Sequence, residues 1–268
     1  MNAQVIEQTT SKTSSPPSSH VSPTSSVRDS TAPEGAVVMR GYPVPPWKRG
    51  LDIACILLAL PIFLPAMILI GLLIRVFCGG PALFKQERVG YLGRRFLLYK
   101  FRTMTVTSDP DVHRRHVEQL IGGSQPMVKM DERGDTRLLP LGGLLRATGL
   151  DELPQIINVL RGDMSLVGPR PCLHFEYERY LPWQRERFAV LPGLTGLWQV
   201  SGKNRTTFPE MIRLDIAYSR NMGPWLDLRI MFQTLPALVA QMREMRAQAQ
   251  PGRLSSEGES PLKTLRTS

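Results

Sequence analysis

An uncharged run of 22 residues, from Ile53 to Ile74, constrains this chain more than any other feature of its sequence. A transmembrane helix needs about 20 apolar residues, so the run is long enough to cross a bilayer. Pro61 and Pro65 lie near its middle. An interior proline removes a backbone hydrogen bond and kinks a helix. The run therefore predicts a membrane helix that is disturbed near its centre.

Basic residues flank this run on both sides. They are Lys48, Arg49, Arg75, Lys85, Arg88, Arg94 and Arg95. Cytoplasmic flanks of membrane helices carry the excess of lysine and arginine, and here both flanks are basic. Two topologies therefore stay open. The helix either spans the membrane, or bends at Leu64-Pro65, dips into one leaflet and returns to the cytoplasmic side.

Composition narrows the partners of the chain. Its 268 residues and 42% hydrophobic content allow one sizeable domain. A net charge of +10 favours a polyanionic partner, which is nucleic acid, an anionic lipid headgroup or a phosphorylated substrate. An ordinary well-solvated surface would carry the same charge. The three cysteines are far apart in the sequence and form no C-x-x-C motif, so we expect neither a disulfide framework nor a zinc site.

The chain divides by composition into four parts. Residues 1–40 are rich in serine, threonine and proline, so we expect a disordered tail, and 248–268 are similar. The membrane segment occupies 46–78. One folded domain occupies 79–247. Inside that domain, His113 and His116 are more typical of solvated side chains than of a metal site.

Turn and capping signals predict several elements of this domain. We expect a β-hairpin from Ala82–Phe84 and Phe96–Phe101, and a helix from Leu138 to Thr148 that ends at Gly149. A helix with an apolar face follows, and Gly162 ends it. Its apolar positions are Leu153, Ile156, Ile157 and Leu160.

Two later segments mix aromatic and charged residues. The stretch 175–188 and the stretch Trp225–Arg246 fit either a membrane interface or the surface of a core. Between them, Thr207 and Glu210 form a capping box that opens a helix carrying Asp215. The sequence does not decide whether these two segments lie at a membrane interface or pack on a core.

Adjacent carboxylates at Asp151 and Glu152 are the strongest chemical signal. Arg146 and Arg170 stand on either side of them in the sequence. A carboxylate can attack phosphorus, a divalent cation such as Mg²⁺ can offset the repulsion, and arginines can clamp phosphoryl oxygens. The simpler alternative is that Asp151 only caps a helix and Glu152 only faces its dipole. The residues alone do not choose between these hypotheses.

Six longer motifs carry a resemblance over residues 46–247. They are KRGLDI at 48–53, FLP at 63–65, YKFRTM at 99–104, LDELPQ at 150–155, RGDMSLVGPRP at 161–171 and PGLTGLWQVSG at 192–202. With these motifs the chain resembles the bacterial sugar transferase family, the monotopic phosphoglycosyl transferases that act on polyprenyl phosphate. The pairing of LDELPQ with GDMSLVGPRP is the most specific part.

The resemblance implies an α+β, mostly helical fold. A re-entrant membrane helix broken at Pro65, a small β-hairpin and amphipathic interfacial helices would surround a catalytic domain. That domain would lie on the cytoplasmic face of the bacterial inner membrane, in a monotopic arrangement. Membrane lipids are therefore expected partners.

The resemblance also implies a reaction. A sugar-1-phosphate would pass from a UDP-sugar to undecaprenyl phosphate, with release of UMP and with Mg²⁺ as cofactor. Asp151 would be the nucleophile, and Glu152 its partner as base or metal ligand. The phosphate-binding residues would be Arg146, Arg170 and Arg102. Further candidate site residues are Asp215, Gln199 and Lys203.

The short length resembles family members that start exopolysaccharide synthesis, for which UDP-galactose or UDP-glucose is the expected donor. Formation of a homodimer is left open. Two other classes compete. The charge alone fits a membrane-tethered nucleic-acid-binding protein, although the sequence has no recognisable nucleic-acid module and we expect no such partner. A non-catalytic scaffold with the same fold is the other alternative.

Overall fold

The computed structural model describes residues 41–105, 138–202 and 206–248, without the side chains of 244–248. The predicted tails therefore lie outside the described residues, apart from residue 248 at the end of the last helix. His113, His116 and Lys203 also lie outside them.

The described chain forms mostly helices, as the sequence predicted. The α-helices are α1 (Pro46–Cys78), α2 (Gly142–Thr148), α3 (Ile156–Arg161), α4 (His174–Arg179), α5 (Leu197–Val200), α6 (Phe208–Asn221) and α7 (Pro224–Gln248). Three 3-10 helices cover Tyr91–Gly93, Leu150–Gln155 and Pro182–Ala189. The strands are β1 (Leu83–Val89), β2 (Arg95–Phe101), β3 (Ser165–Val167) and β4 (Gly193–Thr195). The α+β class with a dominant helical content is confirmed.

The strands form two small sheets. β1 and β2 pair antiparallel from Leu83 opposite Phe101 to Val89 opposite Arg95, which confirms the hairpin and extends its first strand. β3 and β4 pair in parallel, a sheet that the sequence did not predict. Each of these strands has only three residues, too few for a readable alternation of apolar and polar side chains.

Helix α1 runs through Pro61 and Pro65 without a break in its assignment. At 1.5 Å per residue its 33 residues correspond to a length of about 50 Å along the helical path. Among the described helices it is the one long and apolar enough to cross a membrane. The two prolines remove the hydrogen bonds that the carbonyls of Leu57 and Pro61 would accept, so the helix is weakest at its centre.

The first turn of α1 is anchored by a buried lysine. Lys48 Nζ donates to the Asp227 carboxylate at 2.6 Å, to the Tyr218 hydroxyl at 2.9 Å and to the Val167 carbonyl at 2.9 Å. The Tyr218 hydroxyl in turn donates to Asp227 at 2.7 Å. This network joins α1 to the end of β3, to α6 and to α7. The charge of Lys48 is therefore matched inside the protein.

The next turn of α1 also binds the folded domain. The Asp52 carboxylate accepts hydrogen bonds from the Ser165 hydroxyl at 2.9 Å and from the Leu166 backbone at 3.0 Å. The Arg49 guanidinium donates to the carbonyls of Val159 and Leu160 at the end of α3. Three successive polar contacts thus fix the N-terminal part of the helix on the domain.

Both ends of α1 pack on the same core. Ile56 from the N-terminal part and Ile70 and Ile74 from the C-terminal part belong to one buried cluster. Its other buried members are Leu98, Phe101, Leu145, Leu153, Ile156, Val159 and Met164. The centre of the helix is exposed, at Leu57, Leu58, Ile62, Phe63, Leu64, Ile68 and Leu69. The helix therefore touches the domain at two places and leaves an apolar stretch between them.

The helix predicted from Leu138 begins only at Gly142, so its predicted start is wrong. Leu138 bridges to Met104, and the Leu139 backbone donates to the Thr103 carbonyl at 3.0 Å, so these residues are extended. Pro140 follows, and Leu141 takes a left-handed conformation with φ 70°. Pairing with a distant segment thus replaces the first helical turn.

The aromatic stretch 175–188 contributes to a core and also to the surface. Tyr180 and Phe188 are buried and stack in one cluster, whereas Trp183 is 42% exposed. In the last helix, Ile230 is buried, and an exposed apolar row faces away at Trp225, Phe232, Leu235 and Val239. Packing on a core is therefore confirmed for part of each segment, and each segment also exposes apolar side chains.

The buried pair of Lys48 and Asp227 gives a stability prediction. Asp227→Asn leaves an uncompensated lysine in the core, so we expect a loss of about 3 to 5 kcal/mol in the free energy of unfolding. Unfolding of the purified protein in detergent measures it. The control is Glu87→Gln, which breaks the pair with Arg95 at 3.0 Å, where both side chains are about half exposed. A loss as large in the control would contradict the anchoring role.

Candidate active site

The two adjacent carboxylates lie in the first turn of the 3-10 helix Leu150–Gln155. Gly149 precedes them with φ 72°, a conformation that glycine adopts without strain, and its carbonyl accepts from the Glu152 backbone at 3.1 Å. Asp151 is 8% exposed, and the Glu152 side chain is 35% exposed. The pair thus combines a shielded carboxylate with an accessible one.

Asp151 is not the cap of this helix. The capping position belongs to Gly149, and the helix start has no side-chain capping hydrogen bond. The expectation that Asp151 caps an α-helix is therefore wrong, because the turn tightens to a 3-10 helix and the α-helix proper starts only at Ile156. Asp151 instead lies with Glu152 in the first turn of the 3-10 helix.

Lys100 is a site residue that the sequence reasoning missed. It lies on β2, and its Nζ donates to Glu152 Oε1 at 2.8 Å. Because β2 packs against the 3-10 helix, the strand places a cation directly beside the carboxylate pair. The sequence signal was the lysine of YKFRTM at 99–104, which carried the resemblance but was given no role.

Arg146 reaches the same region from the last turn of α2. Its Nη1 lies 3.1 Å from the Met104 sulfur, just beyond the end of β2. The helix ends at Gly149, which turns the chain into the carboxylate segment. Arg146 and the carboxylates therefore sit on either side of one tight turn, as their sequence spacing predicted.

Arg170 projects from a loop, 168–172, whose backbone is held at every residue. Gly168 N–H donates to the Thr195 carbonyl at 2.9 Å, and the Pro169 carbonyl accepts from Gly193 at 2.9 Å. Arg187 donates to the Arg170 carbonyl, and Arg88 donates to the Pro171 carbonyl. Cys172 forms a backbone bridge with Val89. The Arg170 side chain is exposed. A rigid backbone thus presents one accessible guanidinium.

The close approach of this loop to β4 requires glycine. A Cβ on Gly168 would clash with the Leu191 carbonyl, and one on Gly193 would clash with the Gly168 backbone. Neither position shows a positive φ, so the requirement is space and not backbone conformation. The motif around residue 170 and the motif that starts at residue 192 are therefore in direct contact.

Arg88 links the loop to the carboxylates. Burial, together with the charge of Arg170, lowers the pKa of Arg88 to about 10, against the opposing effect of the carboxylates of Glu176 and Glu152. Charges from both Arg170 and Glu152 therefore act on the same buried guanidinium. Sequence reasoning missed this role, because Arg88 was counted only as part of a basic flank.

The remaining predicted site residues lie in different settings. Arg102 donates to the carbonyls of Cys78 and Gly79, where α1 ends. Asp215 is buried in α6 and pairs with Arg187. Gln199 lies on α5, close to Gly196, and its Oε1 is buried without a hydrogen-bond partner within the described ranges. Pro65 lies in the exposed centre of α1.

The region can bind a phosphate-rich ligand. Lys100 of β2 pairs with Glu152, Arg146 precedes the carboxylates by one turn, and the charges of Arg170 and Glu152 both act on the buried Arg88. Carboxylates with cations of this kind suit a diphosphate and a divalent cation. The described residues contain no cluster of three or more histidine, cysteine or carboxylate ligands. Asp151 and Glu152 could therefore supply one or two ligands, with phosphate oxygens and water completing the shell, as is common for Mg²⁺.

Comparison with known proteins places most of the chain in one family. The family model described as bacterial sugar transferase matches residues 44–241. The galactosyl transferase CpsE of Streptococcus agalactiae serotype III is 44% identical over 162 residues, which cover 60% of this chain and 35% of that protein. The undecaprenyl-phosphate galactose phosphotransferase of Salmonella typhimurium is 39% identical over 187 residues, which cover 70% and 39%.

A third relative is closer in length. The UDP-glucose:undecaprenyl-phosphate glucose-1-phosphate transferase of Caulobacter vibrioides is 40% identical over 200 residues, which cover 72% of this chain and 69% of that protein. The chain therefore spans less than two fifths of the first two relatives and about two thirds of the third.

The glycine contact gives a prediction for the loop at 168–172. Gly168→Ala forces the loop away from β4, so we expect the free energy of unfolding to fall by about 1 to 3 kcal/mol. Gly50→Ala is the matched control, because Gly50 is exposed, helical and has open space around it. There alanine should stabilise α1 slightly. Thermal unfolding of both variants checks this, and equal midpoints would contradict the required close approach.

Proposed function

Because the chain belongs to the bacterial sugar transferase family, we propose that it transfers a sugar-1-phosphate from a UDP-sugar to undecaprenyl phosphate and releases UMP. The observation that carries this proposal is the site itself. A shielded Asp151 lies beside an accessible Glu152 that pairs with Lys100, and one turn of helix before them carries Arg146. The reaction would be the first membrane step of exopolysaccharide or related glycan synthesis.

The names of the relatives guide the choice of donor. Those from Streptococcus agalactiae and Salmonella typhimurium are named for galactose, and that from Caulobacter vibrioides for glucose. We therefore favour UDP-galactose or UDP-glucose as donor. Undecaprenyl phosphate is the proposed acceptor, in line with the names of two of these relatives.

Asp151 is the proposed nucleophile. Its carboxylate oxygen would attack the phosphorus next to the sugar, the bond from that phosphorus to the oxygen of UMP would break, and UMP would leave. A phosphate oxygen of undecaprenyl phosphate would then attack the same phosphorus. The bond to Asp151 would break, which restores the carboxylate and gives an undecaprenyl diphosphate sugar. The burial of Asp151 supports this role, since it limits competing attack by water.

Glu152 and Lys100 would act together beside the nucleophile. Glu152 is the more exposed carboxylate and so is placed to meet the acceptor phosphate or a metal ion. Lys100, at 2.8 Å from it, balances its charge before substrate binds. When substrate arrives, the lysine can turn to a phosphoryl oxygen, since an ammonium offers three donors.

Mg²⁺ is the proposed cofactor, held by Asp151 and Glu152 together with the diphosphate. When bound there, it supplies charge neutralisation for the diphosphate and for the departing UMP. Arg146 and Arg170 would bind phosphoryl oxygens from either side. Arg102 is engaged by the carbonyls at the end of α1, so its contribution to phosphate binding would require it to leave them.

We further propose that α1 is re-entrant and that the domain lies on the cytoplasmic face of the inner membrane. Three polar anchors near its start and Ile74 near its end contact one domain, so the two ends belong on one side of the bilayer. The exposed apolar centre and the two prolines support a bend inside the membrane. The exposed row of α7 that starts at Trp225 suits the interface beside it.

The proposed nucleophile is tested by following UMP. With a UDP-sugar and Mg²⁺ but without lipid acceptor, the enzyme should release about one UMP per active site and retain labelled sugar phosphate on the protein. Asp151→Asn should lose both signals and at least about 1,000-fold in turnover, since no nucleophile replaces the carboxylate. Glu178→Gln, a change at an exposed carboxylate, should keep both. Full turnover by Asp151→Asn would reject this mechanism.

The proposed topology is tested by labelling cysteines introduced at Val44 and Pro81, both exposed, after Cys55, Cys78 and Cys172 are replaced. In intact spheroplasts, a membrane-impermeant maleimide should label neither position. After permeabilisation it should label both, because both flanks of α1 face the cytoplasm. Labelling of only one position in intact spheroplasts would indicate a plain transmembrane span.

A further inference from the structure

A buried ion pair lies behind the loop at 168–172. Arg187 from the 3-10 helix Pro182–Ala189 and Asp215 from α6 are each about 1% exposed. Their Nη2 and Oδ2 atoms are 2.5 Å apart. The guanidinium also lies over the rings of Tyr180 and Phe188. The pair thus belongs to the core and has no surface from which to meet a ligand.

The guanidinium of Arg187 reaches the main chain of Arg170. Its Nη2 donates to the Arg170 carbonyl at 2.9 Å, and its Nη1 donates to the Tyr180 hydroxyl at 2.8 Å. Asp215, on α6, pairs with the same Arg187 guanidinium. A carboxylate, an arginine and a main-chain carbonyl are therefore connected in series, and the last of them belongs to the residue whose side chain is exposed at the site.

Stability alone is a poor explanation for this pair. Burial raises the pKa of Asp215 to about 6, although Arg187 opposes that shift. Asp215 Oδ1 and Arg187 Nε are buried without a hydrogen-bond partner within the described ranges. Buried ion pairs can often be replaced by apolar residues without loss of stability, and unpaired polar atoms add a cost. A positional role accounts for the retention of such a pair better than stabilisation does.

We propose that Arg187 and Asp215 are positioning residues for the proposed transferase reaction. They fix the backbone of Arg170 so that its guanidinium meets the substrate diphosphate in a set geometry. The inference rests on the proposed function, because it takes Arg170 as a phosphate-binding residue. Asp215 then acts through Arg187 and Arg170 and does not touch the substrate.

Preorganisation is the physical basis of this role. The Arg170 side chain still loses rotamer freedom on binding, but a fixed backbone removes the larger freedom of the loop beforehand. Supporting contacts of this kind are worth about 10- to 100-fold in the activity or affinity of sites where they have been changed. Their loss should weaken the binding of the diphosphate more than it slows later steps.

A double-mutant cycle tests the connection. Asp215→Asn should lower kcat/KM for UMP release by about 10- to 100-fold, chiefly through a higher KM for the UDP-sugar. In an Arg170→Ala background the same change should cost less than about threefold, because the guanidinium that it positions is absent. Equal losses in both backgrounds would overturn the inference.

Two further variants separate positioning from folding. Asp227→Asn breaks the equally buried pair with Lys48, and its effect on kcat/KM should be the same with and without Arg170. Arg187→Lys keeps the charge beside Asp215 but loses the planar fork of the guanidinium. It replaces Asp215→Asn if that variant fails to fold, and its loss in kcat/KM should likewise be larger with Arg170 present than in the Arg170→Ala background. Thermal unfolding midpoints identify the folded variants.

The outcomes distinguish this inference from the proposed function. If the wild-type protein releases no UMP from any UDP-sugar in the presence of polyprenyl phosphate and Mg²⁺, the proposed function fails. If it releases UMP but the losses from Asp215→Asn and Arg170→Ala multiply independently, only the positioning role fails. A loss that depends on Arg170 supports both.

Discussion

The Val167 carbonyl, at the end of β3, is the point on which the rest of the structure depends. It accepts from Lys48 of α1 and lies 3.1 Å from the Tyr218 hydroxyl of α6, and both of these groups also donate to Asp227 of α7. The next residue, Gly168, starts the loop that carries Arg170. One strand therefore joins α1 to the loop at 168–172.

The parallel pairing of β3 with β4 explains why two distant motifs are needed together. Gly168 and Gly193 bring the two chains so close that any side chain would separate them. The loop gains its hydrogen bonds from Gly193 and Thr195 and in turn supports β4. Neither three-residue strand has enough local contacts to be stable alone. The site is thus built from mutual support between segments about 25 residues apart in sequence.

Local signals were sufficient for part of this structure. The hairpin, the glycine ends of α2 and α3 and the capping box at Thr207 follow from residues within a few positions of each other, and all four are confirmed. The wrong predictions have non-local causes. The pairing of residues 138 and 139 with Thr103 and Met104, just beyond β2, delays α2, and the 3-10 turn that holds Asp151 packs on β2. The sheet of β3 and β4 has no local signature either.

The candidate site shows the same division. The carboxylates and Arg146 lie around one turn, so their sequence spacing was enough to group them. Lys100 and Arg88 come from the hairpin, and tertiary packing alone pairs Lys100 with Glu152 and exposes Arg88 to the charge of Glu152. Arg187 is still harder to foresee, because an arginine in the polar string QRER at 184–187 is typical of a solvated helix face, yet it is buried.

Burial of cations also changes the meaning of the net charge. Of the lysines and arginines behind the value of +10, Lys48, Arg88 and Arg187 are buried within the described ranges. Lys48 and Arg187 have buried carboxylate partners and cannot attract a polyanion from solution. Among the described residues, Lys100, Arg146 and Arg170 are partly or fully exposed and keep their charge accessible. The net charge of the sequence therefore overstates the charge that a polyanion can reach, because three of its cations lie in the core.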